Sequence, residues 1–495
     1  MDQRGRKATG RGKPARKQGQ RDRSADVGRK AKKKAAPKEK QARKVTAKPR
    51  RPTPRGVAYE LTRRVHSKGS YLGLLIRNSV AKAGLSSRDR SMVAELSYGV
   101  QRFRNRIDYL IALFSSRPVN EIDPELLDLL RLGMYQLSEM GTPAHAAVNE
   151  TVELAKAYLG KGEGFVNAVL RNAAMGLREV EWPPRSDLPR YLEIVESHPR
   201  WLVEYMIDMF GEEEAEALCR ADNRIPTITL RVNTARTDAP AMLEKVLSRE
   251  GTGRLSERFP EALVEVGVPY EALLEWLEQG LCVVQDESSM AVSRVVDPQP
   301  GETVVDACAA PGGKSSHLAL LGGEDCRVIA VDRNQRRLKA MKKSIDRQGL
   351  KNVEMVKGDA ARLSGVVGEQ ADRVLLDAPC SGLGTLRRNP ELKWRRFPGD
   401  IANLATVQLK LLMGCADVVR PGGVLVYSLC TFTREETVQV VEAFLERRQE
   451  YRLEDLSSLL PKTLRDEVAR EGYLQLLPHR HDMEGMFIAR FRREG

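Results

Sequence analysis

A chain of 495 residues, 41% hydrophobic and 30% charged, is long enough for about three domains and a sizeable core. Its net charge of +14 sits in one arm: residues 1–55 hold 22 Lys and Arg against 4 Asp and Glu, and the remaining chain holds 59 against 63. No run of 18 apolar residues and no apolar leader occurs, so the composition argues against a membrane protein and predicts a soluble, cytoplasmic one.

Lys, Arg, Ala, Gly, Gln and Pro dominate the arm, and only Val27 and Val45 are strongly apolar. Such a segment cannot bury a core and is expected to be disordered. A flexible polycation binds RNA by releasing counterions, and the alternative is a solubilising tail without a partner. From residue 56 to 182 the apolar spacing is helical. Asp123 and Pro124 open one helix, with Leu126, Leu130, Met134 and Leu137 on one face; Thr142 and Pro143 open another; Ser86 with Asp89 reads as a capping box. Arg102, Arg104 and Arg106 are candidate phosphate contacts or a solvated face. His145, near a helix start, suits a structural role better than a catalytic one.

Trp182-Pro183-Pro184 and Pro189 break the helical pattern and mark a boundary. Residues 183–285 read as a small mixed domain with a strand over 227–232, in which Arg231 faces RNA or forms a structural ion pair. Asp286 is expected to cap the helix that follows. Seven cysteines, at 219, 282, 308, 326, 380, 415 and 430, never come within three residues of each other. That spacing argues against a disulfide framework and a zinc knuckle, and no metal is expected. His479 and His481 lack further ligands to join them and read as structural.

Residues 286–495 carry the chemistry. Asp306-Ala-Cys-Ala-Ala-Pro-Gly-Gly-Lys314 lies between a buried apolar run and a helix, where Gly312 and Gly313 let a ligand approach the backbone. A phosphate loop would require glycine at position 308, which is Cys. Four further strands are predicted, over 327–331, 353–356, 373–376 and 424–427. They end at Asp332, Asp359, Asp377-Ala-Pro-Cys380 and Cys430. Acidic groups and thiols thus gather at the carboxyl ends of parallel strands, where doubly wound α/β sheets bind ligands, and Asp332 stands 20 residues beyond Gly312, the place of a ribose-binding carboxylate. An adenosine-type cofactor is implied.

The Asp306–Lys314 run, Asp377-Ala-Pro-Cys-Ser-Gly-Leu-Gly, Asn389-Pro-Glu-Leu-Lys-Trp394, and Tyr427-Ser-Leu-Cys-Thr followed by Glu435-Glu436 resemble the RsmB/Nop2/Sun family of RNA cytosine-5 methyltransferases, in that family's order. Pro143-Ala-His-Ala-Ala-Val-Asn-Glu and Phe165-Val-Asn-Ala-Val-Leu-Arg resemble the NusB-type RNA-binding domain of the RsmB branch. The resemblance implies a Rossmann-like S-adenosylmethionine-dependent domain after a NusB-like helical domain, a 16S ribosomal RNA substrate and a monomer. It also implies that Cys430 attacks carbon 6 of cytosine and that Cys380 assists release. Spacing alone leaves the order of the two thiols open. Where the family usually has Thr before the later cysteine and Ser after it, this chain has Leu429 and Thr431.

In that reading Asp377 bonds the cytosine edge. Cys308, Ala309, Ala310, Pro311, Gly312, Gly313 and Lys314 surround the methionine moiety, Asp332 takes the ribose and Asp359 the adenine side. Lys314 lowers a thiol's pKa or orients a carboxylate. Lys393 and Trp394, with Arg387 and Arg388, are expected to grip the nucleotide. Two rivals remain: a silent RNA-binding assembly factor that keeps the fold, and a related enzyme acting on transfer RNA or another ribosomal site.

Overall fold

The computed structural model describes residues 52–495, so the basic arm expected over 1–55 lies outside the described residues except for its last four. Pro54 already opens a helix. Thr53 caps it by accepting from the Gly56 amide at 3.1 Å, and a proline in the first turn wastes no amide.

Seven helices form the first layer: α1 (Pro54–Lys68), α2 (Leu72–Ala83), α3 (Ser87–Arg102), α4 (Arg104–Phe114), α5 (Pro124–Ser138), α6 (Ala144–Leu154) and α7 (Glu163–Gly176). Ser86 and Asp123 cap α3 and α5, as the spacing predicts. Leu126, Leu130 and Met134 of α5 are buried against Val100, Ile107, Val166 and Leu170.

The connector holds α8 (Leu188–Ile194), α9 (Arg200–Phe210) and α10 (Glu212–Asp222). An antiparallel sheet of order β2-β3-β1-β4 follows, made of β1 (Ile228–Val232), β2 (Thr252–Leu255), β3 (Ala262–Gly267) and β4 (Cys282–Val284), with α11 (Ala239–Leu247) and α12 (Tyr270–Glu278). Arg231 neither faces solvent nor forms the expected ion pair. It is 1% exposed and donates to Gln285 Oε1 and the Gly313 carbonyl at 2.7 Å and to Ser316 Oγ at 2.6 Å. It thereby ties β1 to the turn that begins the catalytic domain's second helix.

That domain opens with α13 (Glu287–Val296), capped by Asp286. It continues through β5 (Thr303–Asp306), α14 (Gly313–Gly322), β6 (Arg327–Asp332), α15 (Gln335–Gln348), β7 (Val353–Lys357), α16 (Ser364–Val367), β8 (Ala371–Asp377), α17 (Pro398–Ala416), β9 (Val419–Leu429) and α18 (Val438–Arg447). All five strands read from the sequence are present. Antiparallel β10 (Tyr451–Leu453), β11 (Leu474–Leu476) and β12 (Met486–Arg493) extend them, giving the order β10-β12-β9-β8-β5-β6-β7 with β11 beside β12. From β9 to β7 the sheet is parallel. Its strands are apolar runs because helices cover both faces: Val305, Val331, Leu376 and Leu425 pack on one side, Val304, Val328, Leu375 and Val426 on the other. The chain winds outward from β5 to β7, then returns to β8, so the strand order reverses between β5 and β8, where open sheets form a ligand crevice.

One buried polar cluster joins connector and catalytic domain. Glu261, beside β3, accepts from Arg294 at 2.7 Å and lies 2.9 Å from His317 Nε2. Although burial opposes it, these partners hold Glu261 down at about 2, and burial also pulls His317 down to about 4. Both shifts act in the same direction. Below the ordinary pKa of each group the unfolded chain takes up a proton that the fold refuses, so stability falls as pH drops from about 6.5 to about 2. Urea titrations are expected to show His317→Phe losing less stability than wild type between pH 6.5 and 4, by up to about 3 kcal/mol. Parallel curves for the two proteins would refute the assignment.

Candidate active site

The Asp306–Lys314 turn leaves the end of β5 at the point of strand reversal. Its Ala310–Pro311 bond is cis, and Gly312 has φ +103°. A Cβ at position 312 would stand 2.6 Å from Met341 Cγ, so both the backbone angle and the space demand glycine. Buried Asp306 accepts from Ser315 Oγ at 2.6 Å, and burial pushes its carboxyl up to about 7. Lys314 reaches across to β8, its Nζ 2.8 Å from Asp377 Oδ2, while Ser428 donates to Asp377 Oδ1 at 2.9 Å. Burial opposes the Lys314 charge, but Asp377 holds its ammonium above the ordinary value. The lysine thus contacts a carboxylate directly, and the charge of Cys430 also acts on it.

A cleft of about 440 Å3 collects the strand ends: Cys308, Ala310, Pro311, Asp332, Asp359, Asp377, Cys380 and Cys430 all line it. Asp332, 5% exposed, accepts from the Asn334 amide at 2.7 Å and faces Arg337 at 3.3 Å; Asp359 accepts from the Ala361 amide at 3.0 Å. Both turns are thus fixed by a carboxylate that also reaches the cleft. A second lobe of about 270 Å3 shares Cys308, Ala310, Pro311 and Asp377 with the first and adds Ala309, Gly313, Lys314, Asp286, Arg388 and Glu484. Burial pushes the Cys308 thiol up to about 12, so it stays neutral beside the two other thiols.

Those two thiols are at the ends of adjacent parallel strands, with Cys380 Sγ 3.3 Å from Cys430 Sγ. The shared hydrogen bond and burial hold the Cys380 thiol well above its ordinary value, with the nearby charges of Glu436 and Asp377 acting the same way. The Cys380 thiol therefore stays protonated. Behind the sulfurs lies Glu436, fully buried in the segment before α18. It accepts from the Ser381 amide at 2.8 Å, from Gln408 Nε2 at 2.9 Å and from Thr433 Oγ1 at 2.8 Å, while Ser381 Oγ and Thr431 Oγ1 pair at 2.8 Å. Thr431 thus supplies a hydroxyl where the family usually has serine. Arg396 fixes the same loop by donating to the carbonyls of Ser381 at 2.8 Å and Cys380 at 3.3 Å. The sequence marked Glu436 as part of a motif but gave it no role.

Three expected nucleotide contacts lie elsewhere. Lys393 is 0% exposed, its Nζ 2.8 Å from Asn223 Oδ1 and within 3.4 Å of the Ser197 and Arg102 carbonyls. Burial pulls its pKa down to about 7. Trp394 donates to the Gln101 carbonyl at 2.7 Å, and Arg104 stacks on its ring. Arg387 is buried and paired with Asp482 at 3.0 Å. The Lys393 and Trp394 side chains tie the helical domain and connector to the catalytic domain, whereas Arg387 pairs within the catalytic domain. The trio Arg102, Arg104 and Arg106 is consumed in the same way rather than offered to phosphate: Arg102 donates to the Arg387 carbonyl at 2.9 Å, and Arg106 to the Val195 carbonyl at 2.8 Å. Arg388 does reach the cleft wall, where it bridges Asp286 and Glu484. Burial and Asp286 push Glu484 up to about 7 against the pull of Arg388. His481 accepts from the Leu477 amide and His479 pairs with Glu214. Among the described residues no cluster of His, Cys, Asp or Glu is arranged to hold a metal ion.

Residues 293–492 match the 16S rRNA methyltransferase RsmB/F family, residues 52–175 the NusB family, and residues 198–266 the ferredoxin-like domain of RsmF/B-like methyltransferases. A probable ribosomal RNA small subunit methyltransferase B of Bacillus subtilis is 37% identical over 89% of this chain and 99% of its own length. Ribosomal RNA small subunit methyltransferase B of Vibrio vulnificus is 33% identical over 83% of this chain and 92% of its own. Among solved structures, PH0851 covers 89% of this chain and 99% of its own, with TM-score 0.75 and 28% identity. NSun6 from Pyrococcus horikoshii, solved with the S-adenosylmethionine analogue SFG, covers 61% of this chain and all of its own, with TM-score 0.54 and 25% identity. A NusB-like helical domain, a small mixed connector and a Rossmann-like domain with its thiols and carboxylates at the strand ends make this chain a member of the RsmB/F family of S-adenosylmethionine-dependent rRNA methyltransferases.

Proposed function

We propose that the protein methylates carbon 5 of a cytosine in 16S ribosomal RNA, with Cys430 as nucleophile and Cys380 as the group that releases it. The observation that carries this reading is the pair of thiols 3.3 Å apart at the ends of β8 and β9, on one cleft with Asp377. Carbon 5 of cytosine is a poor nucleophile until a thiolate adds at carbon 6. The Cys430 sulfur forms that bond while Asp377 hydrogen-bonds the base and favours the electron shift toward carbon 5. Bound S-adenosylmethionine supplies an electrophilic methyl group to that carbon. Once its sulfur is bonded to carbon, Cys430 no longer raises the Cys380 thiol, and the largest of the influences that hold that thiol up is removed. Cys380 then releases its thiol proton to solvent in the cleft, the resulting thiolate takes the proton from carbon 5, the carbon 5–carbon 6 double bond re-forms, and the Cys430 thiolate leaves.

The residues fit the cofactor. The turn from Cys308 to Lys314 has no room for a side chain at Gly312, Asp332 stands at the end of the next strand to hold ribose hydroxyls, and Asp359 lies on the adenine side. Lys314 keeps Asp377 aimed. We place the domains at 56–182, 183–285 and 286–495, with the first helix beginning slightly earlier, at Pro54. We read the enzyme as cytoplasmic; among the described residues no helix is long and apolar enough to cross a membrane. Labelled methyl transfer to bare small-subunit RNA, assembled subunits and transfer RNA, followed by nucleoside analysis, is expected to yield 5-methylcytidine from small-subunit RNA. Label in transfer RNA alone would move the substrate, and label in another nucleoside would overturn the chemistry.

A further inference from the structure

One side chain on the catalytic cleft comes from outside the catalytic domain. Tyr71, in the turn between α1 and α2, lines the same cavity as Asp377, Cys380 and Cys430 although 306 residues separate it from Asp377. Its backbone is held firmly: the next amide, Leu72, donates at 2.9 Å to Glu391 Oε1, and Glu391 is itself buried. The ring is not used to hold the fold. It is 48% exposed, and as the residue that begins α2 it makes no side-chain capping bond. Arg395 lies over it with the guanidinium carbon 5.6 Å from the ring centre, and that arginine is fixed by the carbonyls of Val65 and Ser70. The next residue, Arg396, lines the cleft and grips the Cys380 loop.

An exposed aromatic ring with a fixed arginine on it, at the mouth of a cleft that must take an extruded base, is a stacking platform for a nucleobase. We propose that Tyr71 and Arg395 hold an unpaired RNA base that flanks the target cytosine, so that the helical domain supplies part of the substrate site itself. The proposal rests on RNA being the substrate, as argued above. The flanking base stacks on Tyr71, because every base offers an apolar face. Arg395 adds a cation for the ring and for the adjoining phosphate. The platform is independent of base identity and so contributes affinity and positioning without sequence choice.

The test uses the full chain and small-subunit RNA. Ultraviolet crosslinking with peptide mapping is expected to attach a nucleotide at Tyr71. RNA affinity is expected to fall about 5- to 100-fold in Tyr71→Ala, with Tyr71→Phe close to wild type and S-adenosylmethionine affinity unchanged in both. Because crosslinking and binding need no methyl transfer, they report on the platform even if the proposed cytosine chemistry fails. Unchanged RNA affinity in Tyr71→Ala would overturn the proposal. So would a selective loss of S-adenosylmethionine affinity, which would place the ring against the cofactor.

Discussion

Incubated with small-subunit RNA and S-adenosylmethionine, Cys380→Ala is expected to accumulate a covalent protein–RNA adduct that survives a denaturing gel, while Cys430→Ala forms none. Methyl transfer by Cys430→Ala should fall by on the order of 10^4-fold or more, because no other group on the cleft can replace the attacking sulfur. Of the two other thiols on the cleft, Cys380 is held well above its ordinary value and Cys308 is kept protonated by burial up to about 12. The asymmetry follows from the two proposed roles: Cys380, 3.3 Å from Cys430 and held protonated, is needed only after carbon 5 has been methylated. An adduct trapped only in Cys430→Ala would exchange the two roles. Neither adduct nor methyl transfer on any RNA, with wild type included, would leave a binding scaffold.

The second large effect is expected at Glu436, which touches neither sulfur. Replacing it with Ala removes the acceptor for the Ser381 amide, Gln408 Nε2 and Thr433 Oγ1 in a fully buried place. Buried donors left without partners are costly, and the loss of stability in denaturant titrations should be about 3–5 kcal/mol. In Glu436→Gln the volume is kept but one acceptor becomes a donor that faces donors, so the loss should be about 1–3 kcal/mol. The turnover of Glu436→Gln should fall about 100-fold, because small displacements of reacting groups are expensive. Its S-adenosylmethionine affinity should stay near that of wild type, since Asp332 and Asp359 stand on other strands. A Gln variant as active as wild type would show that the two thiol loops need no common anchor.

The strand ends were readable because each is a short apolar run that stops at a chemically distinctive residue, and parallel topology then forces those stops onto one edge. Asp332, Asp359, Asp377, Cys380 and Cys430 meet on the cleft for that reason. Lys393 and Trp394 were misread because a motif marks a residue without saying which surface it meets. The partners of Lys393 are 170, 196 and 291 residues away, and no local pattern encodes such distances. Arg102, Arg104 and Arg106 were ambiguous for the same reason: a basic cluster reads alike whether its charges face water or carbonyl groups across a domain boundary. The three antiparallel strands are hard to read from sequence because β10 and β11 have only three residues each, and β12 turns from four apolar residues to an arginine-rich end.

The position of β12 also dictates an order of events during synthesis. It lies between β9 and β10, pairing with Leu429 through Val424 along the strand that delivers Cys430. Until residues 486–493 have left the ribosome, β9 has one side paired to β8 and the other open. A growing chain therefore carries its reactive thiols beside an unpaired, strongly apolar edge, the kind of surface that invites pairing with the wrong strand. Only when β12 closes that edge does Gly485, just before it, reach its place against Gly384, whose amide donates to the Cys430 carbonyl. The surroundings of the thiol pair are thus complete only once β12 has paired with β9.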